Sequence, residues 1–140
     1  MAEQTYVEVS KFTADGTAPA AYKSKSIETM GKVAKAAVKA SSKLTDDAPK
    51  DKKTKGWYLF GNLDSLGPDK AGKKFEAKVS VTIGTWPARS LKSFPNGKGA
   101  FAIASADEKV SPGDADQLVV TATKEAMKTG IAWMEKNKPE

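Results

Sequence analysis

The sequence contains no cysteine and no histidine among its 140 residues, and these two absences exclude several kinds of chemistry. Without cysteine the chain can form no disulfide, no thiolate metal site and no cysteine nucleophile. Without histidine it lacks the side chain that most often transfers protons near neutral pH and most often binds a metal. A serine–lysine pair would need a defined spacing, which the segment Ser90-Leu91-Lys92 does not have. We therefore expect a protein that is not an enzyme and that uses no metal and no cofactor.

Arginine is almost absent too, since Arg89 is the sole arginine among the 23 basic residues, and the net charge is +6. Lysine presents a mobile point charge, whereas recognition of base edges or carboxylates by a planar fork requires arginine. Any binding of nucleic acid or another polyanion is therefore expected to be loose and non-specific.

The chain has no long apolar run of the kind that spans a bilayer, and its first residues, Met1-Ala2-Glu3-Gln4, lack the pattern of a signal peptide. We expect a cytoplasmic protein with no membrane partner. The length suits one core, so residues 1–140 are predicted to form a single domain with frayed ends at 1–4 and 138–140.

The clearest structural signal is the alternation of apolar and polar residues from Phe75 to Ile83. Successive side chains of a strand point to opposite faces, so one face of this strand is predicted to be buried and the other hydrated. Such a pattern favours an antiparallel sheet covered on one side over a parallel sheet covered on both.

The remaining elements follow from periodicity, capping residues and turn residues. They are a strand at 5–12, a helix at 26–44 capped by Ser26, strands at 56–63, 75–83 and 100–104, turns at 64–72 and 95–99, and a helix at 111–137 capped by Ser111. Segment 45–56 mixes both charges and is predicted to be a mobile loop. The order β-α-β-β-β-α predicts an α+β fold with two helices packed on one face of a three- to four-stranded antiparallel sheet.

Lysines lie along one side of the first predicted helix, opposite its alanine-rich side. Like charges at such spacings cost a helix about 0.2–0.5 kcal/mol per pair, which hints at an anionic partner, although a solvated surface explains the row as well. The candidate polyanion-binding residues are Lys32, Lys35, Lys39, Lys43, Lys73, Lys74 and Lys78.

The helix–three strands–helix order, with Gly67-Pro68 followed by Phe75, Val79 and Val81, resembles the double-stranded-RNA-binding domain. That resemblance implies contacts between phosphates and lysines at the start of the last helix. The matching positions here, residues 111–116, carry two aspartates and no lysine, so the similarity concerns element order.

Aromatic residues concentrate in the strand region, and most of them are expected in the core. Three of them are candidates for an exposed interaction patch: Trp57, Trp86 and Phe94. Two functions remain open from the sequence. One is a small basic module that binds nucleic acid or another polyanion loosely, and the other is a protein-interaction or small-ligand-binding module that uses the aromatic strand region.

Overall fold

A computed structural model describes residues 4–14, 20–50, 54–105 and 109–139, without the side chains of 20–23. The described residues form two helices, α1 (Ala20–Ala40) and α2 (Pro112–Lys136), and one sheet. Its strands are β1 (Thr5–Val9), β2 (Thr13–Ala14), β3 (Leu44–Thr45), β4 (Gly56–Pro68), β5 (Lys74–Trp86), β6 (Leu91–Ser93) and β7 (Asn96–Ala102).

The long hairpin of β4 and β5 forms the centre of the sheet. Its antiparallel register runs from the pair Gly56 and Trp86 to the pair Pro68 and Phe75, with an irregularity between Leu63 and Ser65. On one side β1 and β2 pair with β4 in parallel, and β3 pairs with β1 in parallel. On the other side β6 and β7 pair with β5 in antiparallel orientation. The sheet is therefore mixed.

The predicted α+β class with two helices is confirmed, but a three- to four-stranded antiparallel sheet is wrong. The sheet of the described residues has seven strands and is partly parallel. Side-chain alternation does not reveal strand direction, and the crossover through α1 is what allows β1 and β4 to run in parallel. Strands β2 and β3 have two residues each, which is too short for an alternation of apolar and polar side chains to be recognised.

The first helix was predicted too late in the chain, at 26–44. Helix α1 begins at Ala20 and ends at Ala40, because the segment before Ser26 is rich in alanine and lysine, which favour helix. Ser26 is a buried residue inside the helix instead of its cap, and Leu44 lies in β3 with its side chain buried.

The turns predicted at 64–72 and 95–99 are also wrong in part, since β4 continues to Pro68 and β7 begins at Asn96. The predicted loop 45–56 overlaps β3 at Thr45 and β4 at Gly56, and its residues 51–53 lie outside the described chain. The second helix is confirmed with its cap: the Asp114 backbone N–H donates to Ser111 Oγ at 3.1 Å.

Both helices cover the same face of the sheet. Side chains of both join the inward side chains of β4 and β5 in one apolar cluster, which includes Met30, Val38, Val79, Val81 and Val119, each 0% exposed. The alternation predicted for β5 is therefore confirmed.

The two helices lie side by side and run in the same direction. In the middle of α1 Thr29 Oγ1 donates to Asp116 Oδ1 near the start of α2 at 2.6 Å, and just after α1 Ser41 Oγ donates to Glu135 Oε2 near the end of α2 at 2.7 Å. These two hydrogen bonds hold the outer sides of α1 and α2 next to each other.

Candidate functional site

An open groove of about 830 Å³ lies where the outer sides of α1 and α2 meet. Every apolar side chain in it is small or branched, and none is fully buried. The residues that form its floor include Val33, Ala36, Ala37 and Ala40 of α1 and Val120 and Ile131 of α2. An apolar surface of this kind, left open on a folded chain, marks an interaction site more often than an isolated exposed residue does.

The floor exists because α1 carries two apolar stripes. Met30, Ala34 and Val38 face the sheet and are fully buried, while Val33 and Ala37 lie one position earlier in the helical turn and face outward toward α2. The second stripe packs partly against α2, and the part of it that α2 leaves uncovered forms the floor of the groove.

Lysines dominate the edges of the groove: Lys32, Lys124 and Lys128 line it together with one acid, Glu135. Lys32 Nζ lies 2.9 Å from Glu28 Oε1, and this hydrogen bond and the charge of Lys32 lower the pKa of Glu28. In the part of the chain that the structure describes, no carboxylate oxygen lies within 4.0 Å of the ammonium of Lys124 or Lys128. Lys124 and Lys128 therefore form no ion pair with a described carboxylate, and the lining of the groove carries more positive than negative side chains.

The lysines predicted to bind a polyanion do not form one patch. Lys32, Lys35 and Lys39 are exposed on α1, where Lys39 is 3.9 Å from Asp46 Oδ2, and Lys43 is exposed after the helix. Lys73 precedes β5, Lys74 opens it and Lys78 lies within it. Because Ala77 and Val79 point toward the helices, Lys78 points to the opposite face of the sheet.

The predicted aromatic patch is also divided. Trp57 is only 2% exposed and packs edge-on against Trp133, with ring centroids 4.9 Å apart. Trp57 pairs with Thr85, so Trp86 points to the other face of the sheet, where its ring meets Tyr6 at 4.7 Å. Phe94 is 62% exposed and lies after β6.

The sheet face turned away from the helices is a weaker candidate, because several of its polar and aromatic side chains already interact with one another. Asp64 Oδ1 accepts from Asn62 Nδ2 at 2.8 Å and from Ser80 Oγ at 2.9 Å. The guanidinium of Arg89 lies 4.6 Å from the ring centre of Tyr58 and covers it.

Sequence reasoning missed Lys124 and Lys128 as site residues. Their spacing of four residues places them on one side of α2, and this signal was present in the sequence. Their relation to Lys32 depends on the parallel arrangement of α1 and α2, which periodicity within one helix does not encode.

The described residues contain no group of three acidic side chains placed to hold a metal ion. None of the described helices is both long and apolar enough to cross a membrane.

No protein-family model matches the sequence, and no curated protein matches it. Solved structures do share the fold. Protein XCC0632 from Xanthomonas campestris, of the family DUF330, superposes with a TM-score of 0.58 at 9% identity, covering 95% of this chain and 91% of that one. PelC from Paraburkholderia phytofirmans, solved as a dodecamer, superposes with a TM-score of 0.54 at 8% identity, covering 91% of this chain and 89% of that one.

A candidate lipoprotein from Caulobacter crescentus CB15 gives a TM-score of 0.53 at 11% identity, covering 93% of this chain and 88% of that one. At identities this low the similarity establishes the fold alone. None of these three names describes nucleic-acid binding, so the nucleic-acid function that the lysines hinted at gains no support from them.

Proposed function

We propose that this protein is a non-catalytic binding module whose groove between α1 and α2 holds an acidic amphipathic helix of a partner protein. The observation that carries this proposal is an apolar floor open to solvent and edged by Lys32, Lys124 and Lys128. An amphipathic helix places an apolar face in such a groove and its polar residues at the edges.

The dimensions of the groove suit a short helix. On α1 the lining residues extend from Lys32 to Ala40, which is about 12 Å at 1.5 Å per residue, and on α2 from Val120 to Glu135, which is about 22 Å. Three to four helical turns, about 16–22 Å, match this span. The alanine side chains of the floor allow a third helix to approach closely, as small residues do at helix contacts.

The charge of the edges selects the partner. Lys124 and Lys128, which form no ion pair within the described chain, attract carboxylates and repel cations, so a partner helix with glutamates beside its apolar face is favoured. Two copies of this chain placed groove to groove would bring both sets of lysines together, which disfavours self-association through this surface. A polyanion without apolar groups would leave the floor uncovered.

The experiment uses two synthetic helix-forming peptides of about 16 residues, a length that spans the groove. Both carry leucines on one face, and the flanking positions are glutamate in the first peptide and lysine in the second. We expect saturable binding of the acidic peptide by isothermal titration calorimetry, with NMR shifts confined to α1 and α2, and no binding of the basic peptide.

Two variants locate the interaction. Ala36→Glu places a charge on the exposed apolar floor and should abolish binding, and the double variant K124E/K128E should weaken it about tenfold or more. The control K70E/K109E makes the same change of charge at exposed positions outside the groove and should bind as the wild type does.

Several outcomes would refute the proposal. They are equal affinity for the two peptides, no affinity for either, or undiminished binding by Ala36→Glu. Sedimentation velocity of the free chain supplies a further check: an oligomer that Ala36→Glu dissociates would make a second copy the occupant. Binding of duplex DNA at low salt that K124E/K128E abolishes, in the absence of peptide binding, would favour the polyanion function instead.

A further inference from the structure

Two large apolar side chains are exposed together at the edge of the sheet formed by β6. Leu91 opens this strand and is 49% exposed, and Phe94 follows the strand and is 62% exposed. Among the residues that the structure describes, they are the large apolar side chains that extend furthest into solvent. A single exposed apolar residue is ordinary, whereas neighbouring ones indicate an interaction surface.

Both side chains lie on the sheet face that is turned away from the helices. Leu91 pairs with Gly84, and its Cδ2 atom lies 3.4 Å from the position that a Cβ atom of Gly84 would take. Gly84 alternates along β5 with buried residues that face the helices, so this position is on the opposite face. The ring of Pro95 lies against Gly130 of α2, and the alternation along the chain therefore directs Phe94 away from the helices. The two side chains project on the same side of the edge.

Cations accompany this pair of apolar side chains. Arg89 and Lys92 belong to the same segment and are exposed. Lys138 lines one cavity together with Lys92, so the C-terminal end of α2 brings a third cation to this edge. Within the described chain no carboxylate oxygen lies within 4.0 Å of the ammonium of Lys92 or Lys138, and Glu8 Oε2 lies 3.9 Å from the guanidinium of Arg89. These four side chains together leave a net positive charge beside the two apolar ones.

We propose that this edge binds the surface of a membrane that contains anionic lipids, with Leu91 and Phe94 inserted below the headgroups. Apolar side chains gain free energy by leaving water, and each cation near an anionic surface strengthens binding about fivefold. A lipid layer can close around side chains that project from an edge, whereas a folded protein would need a cavity of matching shape. We expected no membrane partner because the sequence has no spanning segment, but binding to a membrane surface requires none.

The probe is a vesicle of phosphatidylglycerol and phosphatidylcholine in equal parts, and a vesicle of phosphatidylcholine alone is the uncharged comparison. We expect the wild type to co-sediment with the anionic vesicles and much less with the uncharged ones. The double variant L91S/F94S should bind the anionic vesicles about tenfold more weakly or less, because the apolar area that would enter the bilayer is lost. Both positions are exposed, so the variant should fold, and circular dichroism verifies this.

A pair of charge variants tests the contribution of the cations. K92E/K138E should weaken binding to the anionic vesicles about tenfold or more. The control K70E/K109E makes the same change of charge at exposed positions, with Lys70 in the hairpin turn between β4 and β5 at the opposite end of β5. In about 0.1 M salt, charges more than about 10 Å from the membrane are largely screened, so the control should bind as the wild type does.

The absence of cysteine from the chain permits a direct measurement of insertion. The variant Phe94→Cys carries a single thiol, which is labelled with the environment-sensitive fluorophore NBD. We expect its emission to rise and to shift to shorter wavelength when anionic vesicles are added. The same label on Lys70→Cys should not change, because that position stays in water.

The proposal is overturned if the wild type does not co-sediment with anionic vesicles, if L91S/F94S binds as tightly as the wild type, or if both labels respond alike. Equal losses in K92E/K138E and K70E/K109E would also overturn it, because net charge alone would then cause the adsorption. A dimer that L91S/F94S dissociates, without vesicle binding, would make a second copy the occupant of this edge. None of these outcomes depends on the acidic peptide, because neither Leu91 nor Phe94 lines the groove.

Discussion

Gly97 of β7 determines how closely α2 approaches the sheet, and replacing it by alanine is predicted to destabilise the protein. A Cβ atom at this position would overlap the backbone carbonyl oxygen of Ala122 and would lie 2.7 Å from the backbone nitrogen of Ala126. Both atoms belong to the backbone of α2, so no side-chain rotation relieves the overlap. The helix as a whole must move away from β7.

The size of the effect follows from this contact. Ordinary van der Waals contact begins near 3.4 Å, so the distance to Ala126 alone requires a displacement of at least 0.7 Å. The side chains of Val119, Ala122 and Ala126 are fully buried beneath α2 and would lose packing. Overpacking of this kind costs about 1–3 kcal/mol, and for a chain of this length 1 kcal/mol corresponds to about 3 °C in Tm.

Urea denaturation and thermal unfolding followed by circular dichroism measure the loss. The matched control is Gly67→Ala, at a strand position where an added Cβ meets nothing within 4 Å. We expect the control to lie within about 0.5 kcal/mol of the wild type and Gly97→Ala to unfold about 3–10 °C earlier. Equal stability of the two variants would refute the close approach of α2 to β7.

Three further predictions concern local structure. Gly31→Ala, inside α1 with open space around the new methyl group, should stabilise the protein by about 0.5–1 kcal/mol in urea denaturation; a loss would contradict the open space. Ser111→Ala should cost about 1 kcal/mol by the same assay because the cap of α2 is lost, and no change would exclude the cap. The backbone N–H of Lys73 lowers the pKa of Asp69, so this carboxylate stabilises the fold above its unfolded pKa of about 3.9 and loses that contribution as the pH falls through the lower folded value. The variant Asp69→Asn lacks this contribution, so it should be less stable than the wild type at neutral pH, and the difference in the free energy of unfolding should shrink as the pH falls below about 4. A difference that does not change with pH would contradict the lowered pKa.

The parts of the fold that the sequence predicted are those encoded by neighbouring residues. The alternation in β5 is a property of nine consecutive positions, and the cap of α2 joins Ser111 to a residue three positions later. Both signals are local, and both are confirmed. The direction of β1 relative to β4 depends on how the chain returns after α1, and no local pattern carries that information.

The start of α1 shows a different limit. Ser26 is a strong capping residue in isolation, but the preceding residues also favour helix, and burial against the core accommodates the serine inside it. Glycines of β7 show the same conflict. The segment 95–99 has the composition of a turn, yet Gly97 and Gly99 pair with β5 in a strand, and they are glycines because α2 leaves no room for side chains there.

The candidate sites were harder to predict than the fold, because each combines residues distant in sequence. Lys32 was predicted as a binding residue, and it does line the groove, but Lys124 and Lys128 become its neighbours only when α1 and α2 lie side by side. Trp57 was predicted as part of an exposed patch, and it is buried.

Helix α2 forms one side of the groove, and Gly97 limits how closely this helix approaches the sheet. Val120 and Ile131 of α2 line the groove, and the backbone of α2 lies against Gly97 at Ala122 and Ala126. A displacement of α2 must therefore alter the groove. Gly97→Ala, if it folds, should weaken the binding of the acidic peptide, whereas Gly67→Ala should leave it unchanged. Unchanged affinity of Gly97→Ala would mean that α1 follows α2 and that the groove keeps its shape.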